Sequence, residues 1–172
     1  MDLVRKALSS VSPENSFGDA SCFRKVYTFS WGGKKYVMKV DNKFLWKEEE
    51  TGFCFHEHEK WKSWSQYSRG RKWLAPILAS GQIKRPCQPP SNEKESWVVM
   101  PKLQPLPNVL RSSCNYSLER YLREKILPKL RIDFPEASWD RDRIHIPDLS
   151  NDLHVGNWAM DNRGNWFIID YA

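Results

Sequence analysis

Ser150-Asn151-Asp152-Leu153-His154-Val155-Gly156-Asn157 is followed by Trp158-Ala159-Met160, a polar turn, and Trp166-Phe167-Ile168-Ile169-Asp170-Tyr171-Ala172. This stretch decides how the rest of the chain is read. A carboxylate, an amide five positions later and a second carboxylate closing an apolar strand form a set of hard oxygen atoms. Asp152 could orient a hydroxyl or take its proton. Asn157 could offer an amide oxygen to a divalent cation without adding negative charge, and Asp170 supplies that charge. Asp161-Asn162-Arg163-Gly164 between two apolar runs predicts a hairpin, which would fix the backbone before Asp170. An Asp and an Asn at this spacing are common alone; with the hairpin and Ile168-Ile169-Asp170 they are far more restrictive. The bland alternative is that Asp152 caps a turn and Asp170 is a terminal acid.

Upstream, the chain has the means to build around such a site. Its 172 residues suit one domain or two small lobes sharing a cleft. Hydrophobic residues make up 40%, with nine Trp and eight Phe, so a packed core is expected and the disordered class is excluded. Net charge is +6, from 27 basic and 21 acidic residues. That balance suits a nucleotide polyphosphate, a nucleic acid or an acidic protein, and equally an ordinary solvated surface. Basic residues are dispersed apart from Arg69 to Lys72, so a nucleic-acid partner is not favoured. Met1-Asp2-Leu3-Val4-Arg5-Lys6 lacks the apolar core of a signal peptide, and no apolar run reaches membrane-spanning length. Cys22, Cys54, Cys87 and Cys114 lie far apart, which predicts reduced thiols in a cytoplasm. Cys54, His56 and His58 lack a fourth ligand at finger-like spacing, so a zinc site is not expected there.

Leu3, Val4, Ala7 and Leu8 predict a short amphipathic helix. Residues 22–40 predict a hairpin, with Gly32-Gly33 supplying the positive φ of its turn. Alternation along Tyr36-Val37-Met38-Lys39-Val40 puts Val37 and Lys39 on one face. A charged segment from Lys47 to Trp64 carries Phe53, Glu57 and Trp61 on one helical stripe. Arg69-Gly70-Arg71-Lys72 reads as its break. Trp97-Val98-Val99-Met100 reads as a buried strand and Pro101-Lys102-Leu103-Gln104-Pro105 as a stiff connector. A helix follows from Ser117, with Leu118, Tyr121, Leu122, Ile126 and Leu130 on one stripe and Asn115 or Ser117 as its cap.

In order and spacing, residues 16–172 resemble the protein-kinase-like superfamily. The terminal loop is closest to the bacterial and small-molecule branches, whose loop reads roughly His-Gly-Asp-Leu-His-Pro-Gly-Asn. Here Ser150-Asn151 precede the Asp, Val155 replaces the Pro, and Asp170-Tyr171-Ala172 stands where Asp-Phe-Gly is usual. Tyr36-Val37-Met38-Lys39 is similar to the family's Val-Ala-Ile-Lys. The resemblance implies an α+β protein-kinase-like fold: an antiparallel-sheet N-lobe over residues 1–103 and a truncated, mostly helical C-lobe over 104–172. It implies ATP and Mg²⁺ as cofactors and Asp152 as the catalytic base. It further implies Asn157 and Asp170 as metal ligands and Lys39 on the α/β-phosphates, paired to a helical Glu. Glu57 is the favoured partner, with Glu50 and Glu59 as alternatives. Val37 would roof the adenine, Met100 would be the gatekeeper, and the Pro101 carbonyl and Leu103 amide would bind the adenine edge. Gly18 is the one glycine kept in the phosphate-covering loop.

The chain stops at Ala172, where the family's peptide-docking helices would follow, so the resemblance is to minimal bacterial-effector or phage-encoded members. The function implied first is a Ser/Thr-type protein kinase acting on a host or partner protein and able to phosphorylate itself. The second is a catalytically weak kinase-like protein that binds and inhibits a partner. The third, suggested by Leu-His-Val-Gly-Asn, is a small-molecule phosphotransferase. In each case the expected setting is a cytoplasm, that of the host cell for an effector or phage protein, with no membrane partner.

Overall fold

The computed structural model describes residues 2–11, 16–17, 24–41, 52–83, 95–110 and 117–171. Asp2 caps the first helix, α1 (Leu3–Ser9), by accepting from the Arg5 backbone N–H at 2.8 Å. After the short strand β1 (Ser16–Phe17), the β-rich run and its return form β2 (Arg24–Trp31) and β3 (Lys34–Asp41), paired from Arg24↔Asp41 to Trp31↔Lys34. Gly32 and Gly33 make the turn at φ 56° and 73°. A Cβ at either would meet nothing within 4 Å. Conformation rather than space therefore selects glycine there.

Helix α2 (Phe53–Trp64) and a shorter α3 (Ser68–Trp73) come next, then strands β4 (Ala79–Ile83) and β5 (Glu95–Pro101). Arg69-Gly70-Arg71-Lys72 thus does not simply break a helix; it lies inside α3. Gly70 serves a close approach, since a Cβ on it would collide with the Trp64 carbonyl. The second half continues with β6 (Gln104–Pro105), α4 (Leu106–Leu110), α5 (Leu118–Tyr121), a π-helical turn (Leu122–Ile126) and α6 (Leu127–Asp133). Ser117 is the cap of α5, accepting from Arg120 N–H at 3.2 Å. Pro128, in the first turn of α6, has no N–H to continue a regular ladder, and the turn before it is wide. The strands β7 (Ser138–Asp140), β8 (Arg143–Ile146), β9 (Ser150–Leu153), β10 (Trp158–Met160) and β11 (Trp166–Ile168) complete the chain. The architecture is α+β, with antiparallel sheets and several helices. No helix among the described residues is long and apolar enough to cross a membrane.

The chain divides into two compact units. One comprises Met1–Glu59 with Pro76–Lys102, the other Lys60–Ala75 with Leu103–Ala172. Residues 60–75 therefore cluster with the second half, where the sequence reading has a single division after residue 103. In the first unit the sheet order is β1-β2-β3-β5-β4, so Trp97 to Met100 lie on an interior strand. Ala7 of α1 packs with Tyr27, Phe29, Tyr36, Met38, Val40, Trp97 and Val99 on one face of this sheet. Met38 and Val99 are fully buried, each side chain contributing about 1.5–3 kcal/mol relative to exposure. Period-two alternation sends Val37, Lys39 and Asp41 to the opposite face.

The second unit corrects one expectation. It is not mostly helical, because it carries two three-stranded sheets, β11-β10-β6 and β7-β8-β9. The first contains the terminal hairpin, paired Trp158↔Ile168 to Met160↔Trp166. The second arises because Ile144 and Ile146 alternate with polar neighbours and are both fully buried. Leu122, Ile126 and Leu130 form the buried stripe of the long helical segment, as their spacing predicts. Trp158, also fully buried, meets the edge of Trp73 with ring centroids 6.3 Å apart.

Candidate functional site: a lysine–glutamate pair and an Asp–Asn loop

On the face of the first sheet opposite α1, the Lys39 Nζ donates to Glu57 Oε1 at 2.7 Å. Glu57 is fully buried and Lys39 nearly so. Glu57 lies eighteen positions after Lys39, beyond the end of β3 and the first turn of α2. The helical stripe of Phe53, Glu57 and Trp61 brings this carboxylate, rather than that of Glu59, to the sheet. Glu59 is exposed and lies 3.9 Å from His58, while Glu50 falls outside the described residues. A second cation, Arg24 of β2, donates to the other carboxylate oxygen of Glu57 at 3.2 Å and stacks over Phe53. Two cations on one buried carboxylate satisfy it from both sides, which a buried anion requires.

Asp41, two residues beyond Lys39 on the same face, accepts from the Cys54 backbone N–H at 3.0 Å and so holds the start of α2. A side chain on Gly52 would collide with that carboxylate. Cys54 itself is buried, and burial first, then the charges of Asp41 and Glu57, push its thiol well above the usual range. It is a packing residue, not a nucleophile. Across the sheet, Val37 pairs with Met100 and Lys39 with Val98. Residues directly opposite share a face, so Val37, Lys39, Val98 and Met100 line one surface. Pro101 ends β5, the Lys102 N–H donates to the Lys35 carbonyl at 3.0 Å, and Leu103 follows half-buried. Gly18 lies outside the described residues.

In the second unit, β9 ends at Leu153 and a 3₁₀ turn (Val155–Asn157) leads into β10. The Asn157 Nδ2 donates to the Asp152 backbone carbonyl at 2.6 Å. That bond fixes which way the amide points and turns Oδ1 to the other side. His154 supports the loop, its Nδ1 accepting from Gly156 N–H at 3.0 Å, which puts the proton of the neutral ring on Nε2. Asp170 is half-buried between fully buried Ile168 and Tyr171. Next to it, the Ile169 N–H donates to the Asn157 carbonyl at 2.8 Å, so the backbone leading to Asp170 is bonded to Asn157. The Tyr171 hydroxyl donates to the Ala75 carbonyl at 3.0 Å, and Ala75 N–H to Ile168 O at 2.9 Å. The residues on both sides of Asp170 are therefore anchored.

One contact of the candidate site escapes the sequence. The Asp152 carboxylate accepts from Arg143 at 2.6 Å, and both side chains are exposed to solvent. Arg143 also bonds Asp142, and that bond, with the charges of Asp142 and Asp152, raises the guanidinium further. The signal for it is the antiparallel pairing of Ile144 with Leu153, which makes Arg143 and Asp152 diagonal neighbours on one face. Arg-Ile-His-Ile shows a strand but not its partner.

The structure brings together Lys39 with Glu57, Val37 with Met100, and Asp152 with Asn157. Asn157 Oδ1 and a carboxylate from Asp170 are hard oxygens of the kind magnesium takes in small number, keeping waters and substrate phosphate for its other positions. Among the described residues no group of three or more His, Cys, Asp or Glu forms a metal cluster. No family model matches the chain, and no curated protein matches it.

Proposed function

We propose that the chain is a minimal Mg·ATP-dependent protein kinase of protein-kinase-like fold, acting on side-chain hydroxyls of a partner protein and on itself. The observation that carries this reading is the buried Lys39–Glu57 pair at 2.7 Å. A sheet core has no packing need for a lysine, whereas a lysine held by a helical carboxylate is what α/β-phosphate binding asks for. Val37 and Met100 offer an apolar surface for adenine, with the Pro101 carbonyl and Leu103 amide for its edge. When bound, Mg·ATP supplies the transferable phosphoryl group and the charge that neutralises it. Asn157 Oδ1 and the Asp170 carboxylate would hold the metal. Asp152 orients the incoming hydroxyl and takes its proton on a carboxylate oxygen. Four scattered cysteines, with Cys54 a free thiol, suit a reducing cytoplasm.

Purified protein given Mg²⁺ and γ-labelled ATP labels itself or a lysate protein, and Asp170→Ala abolishes the label. Absence of ATP binding by calorimetry in the presence of Mg²⁺ sinks the reading. One observation favours a second: Arg143 at 2.6 Å occupies the Asp152 carboxylate. A kinase-like protein that binds and inhibits a partner needs no open base. Under that reading ATP binds without label transfer, and Asp152→Asn leaves partner binding unchanged.

A further inference from the structure

The second unit contains a groove of about 530 Å³ that no part of the proposed phosphoryl transfer uses. Such a volume lies within the range of about 300–1,000 Å³ typical of ligand clefts. Its wall is aromatic and aliphatic, with Trp73, Trp166, Phe167 and Ile132. Ile132 on α6 is 77% exposed and does not stand alone, since it lines the same groove as Trp166 and Phe167. Trp166 is held against Tyr121 at a centroid distance of 5.8 Å, so its ring is fixed in place.

Cations rim this wall: Arg71, Lys72 and Lys129. Lys72 is compensated by Asp133 at 2.6 Å, which also accepts from Trp73 at 2.7 Å. Arg71 donates to the Ser65 and Gln66 carbonyls at 2.7 and 3.1 Å. These are neutral acceptors, so among the described residues its charge is positioned but uncancelled. Lys129 makes no hydrogen bond or ion pair among the described residues. Among the described residues, the groove therefore presents an apolar floor between two uncompensated positive charges, one of them already held in place.

We propose that this groove docks an acidic protein segment, with an aromatic or aliphatic side chain seated on Trp166 and Ile132 and flanking carboxylates on Arg71 and Lys129. Two net charges and a carboxylate at the rim suit a short acidic peptide better than a phosphate backbone, which calls for a longer basic stripe. Preorganised Arg71 and Trp166 lower the ordering cost of binding. The inference does not rest on phosphoryl transfer and stands if the chain is not an enzyme.

The test is fluorescence anisotropy on the full chain with a labelled Glu-Asp-Phe-Leu-Asp-Glu peptide, and in parallel with a labelled short oligothymidylate. Saturable peptide binding is expected. Lys129→Glu and Ile132→Asp, both at exposed positions, each weaken it by about tenfold or more, equal to about 1.4 kcal/mol. Lys34→Glu, at an exposed position of β3 that does not line the groove, changes affinity by less than about twofold, as a surface charge outside the contact should. Circular dichroism of the variants shows that the fold persists. Tighter binding of the oligothymidylate, equal binding by all three variants, or no saturable peptide binding overturns the proposal.

Discussion

Replacing Glu57 by glutamine should separate the architecture of the Lys39–Glu57 pair from its use. At 2.7 Å and an effective dielectric near 20, the attraction is about 6 kcal/mol. Removing two such ions from water costs several kcal/mol each, so the pair as a whole contributes little net stability. The glutamine side chain would keep the shape but leave Lys39, with its side chain only 10% exposed, and Arg24 facing a neutral amide. The expected loss is about 3–5 kcal/mol, the usual penalty for orphaning one member of a buried pair. With a slope of about 2 kcal/mol per molar, the urea midpoint falls by roughly 2 M, read by tryptophan fluorescence. The double variant Lys39→Met/Glu57→Leu removes that pair at similar volume, leaves Arg24 as the remaining charge of the cluster, and should recover about half or more of the stability lost in Glu57→Gln. Arg24 retains its stacking over Phe53 in that background. The double variant should also have lost ATP binding by calorimetry, although it is folded. A midpoint shift below about 0.5 M for Glu57→Gln, or a double variant as unstable as the single, refutes the reasoning.

Other outcomes follow from the local geometry. Gly70→Ala drives a methyl into the Trp64 carbonyl and should destabilise by about 1–3 kcal/mol in urea titrations, whereas Gly164→Ala meets open space and acts only through its φ of 84°. Hydrogen bonds from Lys72 and Trp73 hold the Asp133 carboxyl below the usual aspartate value. Its stabilisation is complete above the ordinary aspartate range and is lost as pH falls through the depressed folded-state value. Asp133→Asn should therefore lower stability at neutral pH and flatten the acid limb of midpoint against pH, whereas a parallel curve contradicts this. Arg143→Gln should cost less than about 1 kcal/mol in unfolding, because exposed ion pairs contribute little. Cys54, buried and held protonated, should resist alkylation in the native protein and react once unfolded, as peptide mass mapping would show.

Much of the first sheet is legible in the sequence because its signals are local. Gly32-Gly33 can only be a turn of positive φ, and the alternation of Val37 and Lys39 has one consistent reading. The helical stripe shared with Phe53 and Trp61 favours Glu57 but leaves Glu50 and Glu59 as alternatives, and the contact with Lys39 is what decides. The roles of Arg24 and Asp41 are not legible, since they depend on which strand pairs with which. The sequence also suggests a more helical second unit than the structure has. Ser138 to Leu153 holds short strands separated by turns, and only Ile144 and Ile146 show the period. The same stretch hides Arg143, whose meeting with Asp152 depends on the register of β8 against β9. Gly70 is legible as a punctuation mark but not as a point of contact, because Trp64, six residues back, is brought close by the geometry of the turn between α2 and α3.

The bond from Tyr171 to Ala75 spans 96 residues, and between its ends lies the stretch from Pro76 to Lys102 that belongs to the other unit. The second unit is therefore not a module that one cut can release. A fragment ending at Lys102 would carry Trp73 and Leu74 with none of the later residues that bury them, and would be prone to aggregate. A fragment beginning at Leu103 would lack the segment that closes its terminal hairpin. Adding residues 60–75 as a separate peptide should restore that fragment, making the discontinuity a handle for splitting and reassembling the protein on demand.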